Sequence, residues 1–355
     1  MLSESQKQRL ISAAIFAPSA DNSQPFQFRW QNDNTLELWI DPQRSGKASD
    51  NRFILSDIAL GAVIENIIIR AESFPLSTQI EYFPDDNQAK FFVASIYFLP
   101  SEQTINDTDT LADEISKRCT DRRFPFKGPI KAQTIELLAN AAKQHDCDVL
   151  SFTCKKSIKH VLPVIQQAET IRFKSKILHQ ELFSTVHFNN AQAEEGMPIS
   201  VLAIEKPAQP MFKQMKKWSV MNFVNKIGGA TILGFRSVRL PILFSPALLL
   251  ITMKKKDRLS IIKAGQAIQR VWLQASQQGL SVQPYAAPGI FSLGYIACEN
   301  EFNSQLEAIA KQMHNIVNDS DPTKDHYGLM FLRIGYNKAV EHRSNRRSFD
   351  SFIKE

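Results

Sequence analysis

The chain has 355 residues, 43% of them apolar and 22% charged, with a formal net charge of +6. That length and apolar share allow two domains or one large duplicated unit with a real core, and exclude a membrane protein. The four cysteines (Cys119, Cys147, Cys154, Cys298) form no C-x-x-C pair, and the polar start at Met1–Leu10 has no apolar signal segment. Both features fit a reducing compartment, the cytoplasm. No G-x-G-x-x-G, P-loop or H-E-x-x-H motif occurs, and His145, His160, His179 and His187 have no ligand spacing. No metal site and no nucleic-acid partner are therefore expected.

The charge is unevenly spread. Lys206–Lys256 holds ten Lys/Arg and no Asp or Glu, so this window carries +10 and the rest of the chain −4.

In chain order, Gln6–Phe16 reads as a helix with Leu10, Ile11, Ala14 and Ile15 as its apolar stripe. It runs into Ala17-Pro18-Ser19-Ala20-Asp21-Asn22-Ser23-Gln24-Pro25-Phe26, a polar turn bracketed by prolines. Phe26–Trp30 and Leu36–Ile40 alternate as strands, Asp57–Ala71 is apolar almost all round as in a buried helix, and Gln79–Phe83 and Phe91–Leu99 read as strands. Ser101–Thr110 reads as a polar linker. Arg118-Cys119-Thr120-Asp121-Arg122-Arg123-Phe124 then gathers three guanidiniums and a hydroxyl, a set suited to phosphate or another planar anion. A helical pattern through Ile135, Leu138, Ala139 and Ala142 follows, and then a strand at Cys147–Thr153. Helices are expected around His160–Gln167 and Ile171–Phe183, a strand at Ala247–Met253 and a strong helix at Ile261–Ser276. Strands at Ser292–Ala297 and Leu329–Gly335 flank a helix at Phe302–Ile316, and the chain closes on Arg343-Ser344-Asn345-Arg346-Arg347.

An internal repeat emerges from this order. Gly61–Gln79 aligns with Gly265–Gln283 at an offset of 204, pairing Gly61 with Gly265 and Ile64 with Ile268, while Ala13-Ala14 aligns with Ala141-Ala142 at an offset of 128. The Ser19, Asn22, Gln24 turn has no counterpart in the second copy, and the arginine motif has none in the first. Two halves packed as a pseudo-twofold pair would therefore make one composite site.

These motifs resemble those of flavin-dependent nitroreductases. Pro18-Ser19-x-x-Asn22-x-Gln24-Pro25-Phe26 is similar to that family's Pro-Ser-x-x-Asn-x-Gln-Pro-aromatic turn, and Arg118-x-Thr120-x-Arg122-x-Phe124 to its Arg-x-Ser-x-Arg-x-Phe motif. In that family the two motifs come from opposite subunits and hold FMN between them. A single chain with both resembles the fused, Acg-like branch. The resemblance implies an α+β fold of two pseudo-twofold-related nitroreductase-like halves, 1–112 and 113–355, each an antiparallel-type sheet flanked by helices. It also implies an FMN-dependent NAD(P)H oxidoreductase of nitroreductase or quinone-reductase type, passing a hydride through flavin N5 to a small acceptor. Arg118, Thr120 and Arg122 would bind the FMN phosphate, ribityl and pyrimidine oxygens. Ser19, Asn22 and Gln24 would reach the flavin from the other half. Gly289 would offer a backbone N–H near N5, and Arg346 and Arg347 would complete the phosphate site. No acid–base side chain is nominated. The alternative is an FMN-binding, sequestering protein without turnover.

Read without the family, Ser19 and Asn22 could cap a turn and Arg346-Arg347 could be a solvated tail. The basic window departs from simple nitroreductases. Three readings stand: a lid over the flavin, inserted at about 206–246 and hinged at Gly228-Gly229 and Gly234; a membrane-surface segment; or a segment packed on the core. Lys213, Lys217, Asn222 and Lys226 scatter around the helical wheel, which argues against the membrane surface and favours the lid. The chain would act as a monomeric pseudo-dimer or a homo-oligomer.

Overall fold

A computed structural model describes residues 1–83, 91–101, 111–319 and 325–354. Of the expected linker 101–110, all but Ser101 lies outside them. Helix α1 (Glu4–Ile15) starts at a reciprocal cap between Ser3 and Gln6 and buries Leu10, Ile11, Ala13, Ala14 and Ile15. Strands β1 (Phe26–Asn32) and β2 (Thr35–Ile40) form a hairpin, followed by α2 (Ile54–Glu72), β3 (Leu76–Tyr82) and β4 (Phe92–Pro100). They make an antiparallel sheet of order β1-β2-β4-β3.

After α3 (Leu111–Lys117) and α4 (Ala132–Lys143) comes β5 (Cys147–Phe152), then α5 (Lys155–Lys174) and α6 (Lys176–Ser184). A short parallel pair, β6 (Val186–His187) and β7 (Met197–Pro198), leads into the basic segment. That segment is broken into α7 (Gln209–Gln214), α8 (Trp218–Lys226), α9 (Gly229–Gly234), a wide π-type turn at Phe235–Arg239, and α10 (Leu240–Leu243). The chain continues through β8 (Ala247–Met253), α11 (Arg258–Gln277), β9 (Leu280–Tyr285), α12 (Ala287–Ser292), α13 (Asn303–Asn318) and β10 (Tyr327–Tyr336). The second antiparallel sheet has the order β5-β8-β10-β9. In both four-stranded sheets the strands lie in the sequence order first, second, fourth, third, and in both the long helix follows the second strand.

The two long helices join the sheets. A Cβ on Gly61 of α2 would lie 2.1 Å from the Ile262 carbonyl, and one on Gly265 of α11 would lie 2.3 Å from that of Ile58. Backbone therefore meets backbone where these helices cross, which only glycine permits. Each helix also sends side chains into the other's core: Ile54 and Ile58 pack with the second sheet, Ile262 with the first. A polar seam runs beside the crossing, with Asn66 accepting from Gln269 at 2.6 Å and Asp57 accepting from Arg258 at 2.9 Å.

The strand expected at Ser292–Ala297 is absent. The strand of this region is β9, and α12 follows it directly, with Pro288 in its first turn and Gly294 at φ +73° just beyond its end. Apolar residues at 291, 293 and 295 mimic strand alternation, but the left-handed glycine turns the chain instead.

Candidate functional site

Pro18 stops α1, and the turn after it is strained: Asp21, Asn22 and Gln24 all sit at positive φ (49°, 58° and 52°). The Ser19 hydroxyl accepts from the Gln24 amide at 2.9 Å. Asn22 donates to the carbonyls of Gly196 and Asn345, both at 3.1 Å, and its oxygen accepts from Arg346 at 2.8 Å. Gln24 is fully buried; it donates to the Glu194 carbonyl at 2.7 Å and accepts from the Arg347 amide at 3.1 Å. Its amide ties the turn to distant backbone, and Gln24 does not border the hollow or the cavity described below. Asn22 borders a cavity with the same duty. Ser19 and Asp21 face the open space.

The arginine motif leaves α3 as an extended segment bridged to β9 at Thr120–Val282. Extended backbone alternates its side chains. Asp121 points inward and pairs with Arg123 at 2.8 Å, while Thr120 and Arg122 line the cavities. Arg118 lies 4.6 Å over the Trp272 ring, donates to the Phe16 carbonyl at 3.0 Å, and among the described residues its buried Nε has no partner. Burial, with Arg346 adding like charge, pushes Arg118 down to about 9. Arg122 donates to the Val201 carbonyl at 3.2 Å and weakly to the Met197 sulfur, and burial lowers its pKa as well. Among the described residues, neither Arg118 nor Arg122 pairs with a carboxylate.

The terminal arginines are built in. Arg346 donates to the Ile15 carbonyl at 2.9 Å as well as to Asn22, and burial pushes it down to about 10. Arg347 is buried over the Phe352 ring and donates to the Gln24 carbonyl. The solvated-tail reading is thereby overturned. Arg346 joins Arg118, Arg122 and Arg343 around a hollow of about 120 Å³ that Ser19 and Thr120 also border; Arg347 stands behind it.

This cationic hollow shares Ser19, Asp21, Thr120 and Arg122 with an apolar cavity of about 190 Å³. The cavity is walled by Ile58 and Ala62 of α2, Ile268 and Trp272 of α11, and Ala287 and Ile290 of α12. Gly289 is not part of that wall. A Cβ there would lie 2.0 Å from the Leu329 carbonyl, so this glycine seats α12 against β10.

A third space, about 330 Å³, lies beneath the basic segment and shares Asp21, Arg122, Glu169, Arg172 and Pro284 with the apolar cavity. The hinge assignment is also revised. Gly228 has φ +86° and open surroundings, but a Cβ on Gly229 would meet Val224 at 2.0 Å and one on Gly234 would meet Thr170 at 2.4 Å. The last two are packing glycines.

Sequence reasoning missed Asp21, Glu169, Arg172 and Trp272. Asp21 lies inside the turn motif and borders all three spaces, yet the pattern left its position unassigned. Arg172 meets Asp21 at 3.7 Å and Glu169 at 3.3 Å, a contact across 151 residues that no local signal announces. Among the described residues, no group of three potential ligands could hold a metal ion, and no helix is long and apolar enough to cross a membrane.

No family model matches the chain. Over 344 residues it is 22% identical to the uncharacterized protein MT1398 of Mycobacterium tuberculosis, covering 95% of this chain and 47% of that one. Over 193 residues it is 27% identical to acg of Mycobacterium tuberculosis, a protein named for NAD(P)H nitroreductase activity, covering 54% of this chain and 56% of that one. The chain thus spans about half the length of these curated relatives. Among solved structures, a nitroreductase-like family protein from Bacillus cereus matches at 13% identity and a TM-score of 0.39, covering 71% of this chain and 98% of that one. The chain is similar to proteins named as NAD(P)H nitroreductases, and its own architecture is α+β, two antiparallel sheets around paired helices.

Proposed function

We propose that the chain is an FMN-dependent NAD(P)H oxidoreductase whose single flavin site lies between the Ser19–Gln24 turn and the Arg118–Phe124 segment. The observation that carries this reading is a hollow of guanidiniums that, among the described residues, have no carboxylate partner, opening into an apolar cavity. Among the described residues, Arg118 is buried with no partner for its Nε, and Arg122 donates to a carbonyl and a sulfur. Buried cations without counter-ions are costly, and a bound phosphate would relieve that cost. The residues fit FMN in kind. Arg118, Arg122, Arg343 and Arg346, with the Ser19 and Thr120 hydroxyls, would hold its phosphate and polar chain, and Ile58, Ala62, Ile268 and Trp272 would cover an apolar ring.

When bound, FMN would supply hydride chemistry at N5, with NAD(P)H as reductant and a small nitroaromatic or quinone as acceptor. The chain's own residues bind, orient and shield. Asn22, Gln24 and Arg347 fix the turn from behind. Asp121 and Arg123 fix the arginine segment against β9, so that Thr120 and Arg122 keep their direction. We divide the chain into halves 1–112 and 113–355, with the insertion at about 206–246 serving as a lid.

The relatedness to acg favours the same class. The test is anaerobic addition of NADPH to the purified, FMN-loaded protein, followed by a nitroaromatic. Bleaching and then recovery of the flavin band supports an oxidoreductase. A yellow protein that stays inert supports FMN sequestration, and a protein that never takes up FMN refutes the site.

A further inference from the structure

Exposed apolar side chains are unevenly spread over this chain. Among the described residues, six of the thirteen large exposed ones, Met211, Phe223, Ile227, Ile232, Phe235 and Phe244, belong to the basic segment. Scattered singly they would mean little, but a cluster marks an interaction surface. Four of them share a side. The Asn225 amide of α8 donates to the Phe173 carbonyl at 2.9 Å, and Gly234 of α9 lies so close to the Thr170 hydroxyl that a Cβ would not fit. Thr170 and Phe173 are one turn apart on α5, so both helices rest on the same stretch of it. With Asn225 and Gly234 turned inward, helical spacing puts Phe223 and Ile227 of α8 on the side away from α5, together with Ile232 and Phe235. Their exposures of 64%, 69%, 67% and 43% agree.

The same side carries cations. Lys226 is exposed between Phe223 and Ile227, Arg239 is exposed one turn past Phe235, and Lys213, Lys216 and Lys217 are exposed before α8. Among the described residues none of these five pairs with a carboxylate, whereas Arg236 of the same segment pairs with Glu205. The scatter of Lys213, Lys217, Asn222 and Lys226 argues against a membrane surface only if the segment is one helix. Gly228, at φ +86°, instead turns the chain between α8 and α9 and brings two apolar pairs onto one side.

We propose that this outer side, from Trp218 to Arg239, is a docking surface for anionic lipid bilayers. Phe223, Ile227, Ile232 and Phe235 enter the boundary between headgroups and acyl chains, and the cations lie among the lipid phosphates. No helix has to cross the bilayer. A second copy of this chain fits less well, because a twofold contact here sets unpaired cations against like charge. A bare polyanion fits less well too, because it leaves Ile227 and Ile232 in water. None of the four apolar residues, nor Lys226 or Arg239, lines the chamber beneath the segment, so docking does not rest on the flavin reading.

The test is co-sedimentation of the full chain with vesicles of phosphatidylcholine, with and without phosphatidylserine, at low and high salt. Phosphatidylserine should tighten binding by about tenfold or more, and salt should weaken it. Lys226→Gln with Arg239→Gln should cost about tenfold and flatten the salt dependence. Phe223→Ser with Ile232→Ser should also cost about tenfold or more, while the preference for phosphatidylserine remains. All four positions are exposed, so the melting temperatures should stay at the wild-type value. If either pair melts early, Phe223→Trp supplies a second readout: phosphatidylserine vesicles should shift its emission to the blue beyond any shift of the wild type. A wild-type chain that ignores phosphatidylserine vesicles overturns the proposal, and so does an unshifted tryptophan. Binding that survives the serine pair marks a polyanion site and overturns it as well. A dimer that the serine pair dissociates, without vesicle binding, assigns the surface to a second copy instead.

Discussion

The Arg118 guanidinium lies 4.6 Å over the Trp272 ring, which joins the arginine segment to the helix that crosses α2. The ring face supplies negative potential where no carboxylate does, so the cation stays buried and open to an added anion. Replacing Trp272 with Leu should preserve the fold and weaken FMN binding by about 1 kcal/mol, the scale of a cation–π contact. Fluorescence titration with FMN measures it, and an unchanged affinity would remove Trp272 from the site.

Arg346 was separable from Arg122 in sequence terms, as tail from motif. The structure binds it to Asn22 and to the Ile15 carbonyl, so it has a structural duty as well. Arg346→Ala should therefore lower the stability of the apo-protein by about 1–3 kcal/mol, because it leaves buried acceptors unpaired. Arg122→Ala should leave stability nearly unchanged while costing more in FMN affinity. Urea melts beside FMN titrations give both quantities, and identical profiles for the two variants would contradict this division of roles.

Gly265→Ala forces a methyl group against the Ile58 backbone, where a Cβ would come within 2.3 Å. Backbone cannot step aside as a flexible side chain can, so destabilisation of about 1–3 kcal/mol is expected from overpacking. Gly228→Ala, with open space but φ +86°, should cost about 1–2 kcal/mol for a different reason, the left-handed backbone. Thermal melts of the two variants test the pair.

His179 holds the basic segment to the body by donating from Nε2 to the Met215 carbonyl at 2.8 Å, with Trp218 packed against its ring. Burial lowers its pKa, and among the described residues its Nδ1 has no partner. The folded chain thus prefers the neutral ring, while the unfolded chain takes up a proton near pH 6.5. The stability that this contact contributes is present above that pH and is lost as the pH falls below it. Limited proteolysis of residues 206–240 should accelerate on going from pH 7.5 to 5.5, and His179→Gln should flatten the dependence. Equal cleavage rates at both pH values would refute the assignment.

Much of the frame was legible because it obeys periodicity. The offset of 128 carries α1 onto α4, the offset of 204 carries α2 onto α11, and the aligned glycines 61 and 265 are the residues that let those helices touch. Both chemical motifs were visible as clusters of residue types. What stayed hidden depends on direction and distance. Gln24 reads like Ser19 in the sequence, yet one amide is spent on backbone while the other side chain borders the cavity. That residue 289 must be glycine for α12 to seat on β10 is likewise invisible until the two elements meet. Glu169 and Arg172 sit on a helix whose pattern speaks only of its core face. The wheel argument for the basic segment assumed one helix, whereas Gly228 and the turn at Phe235–Arg239 break it into short pieces.

The central claim is one composite flavin site made by two motifs that each occur once. Its most direct measurement is the stoichiometry of FMN uptake, read from flavin absorbance against protein concentration after removal of free FMN. We predict a ratio near one per chain for the wild type, and a ratio near zero for Arg118→Ala combined with Arg122→Ala while the melting temperature is retained. A ratio near two, or a double variant that still retains one flavin, would contradict the account.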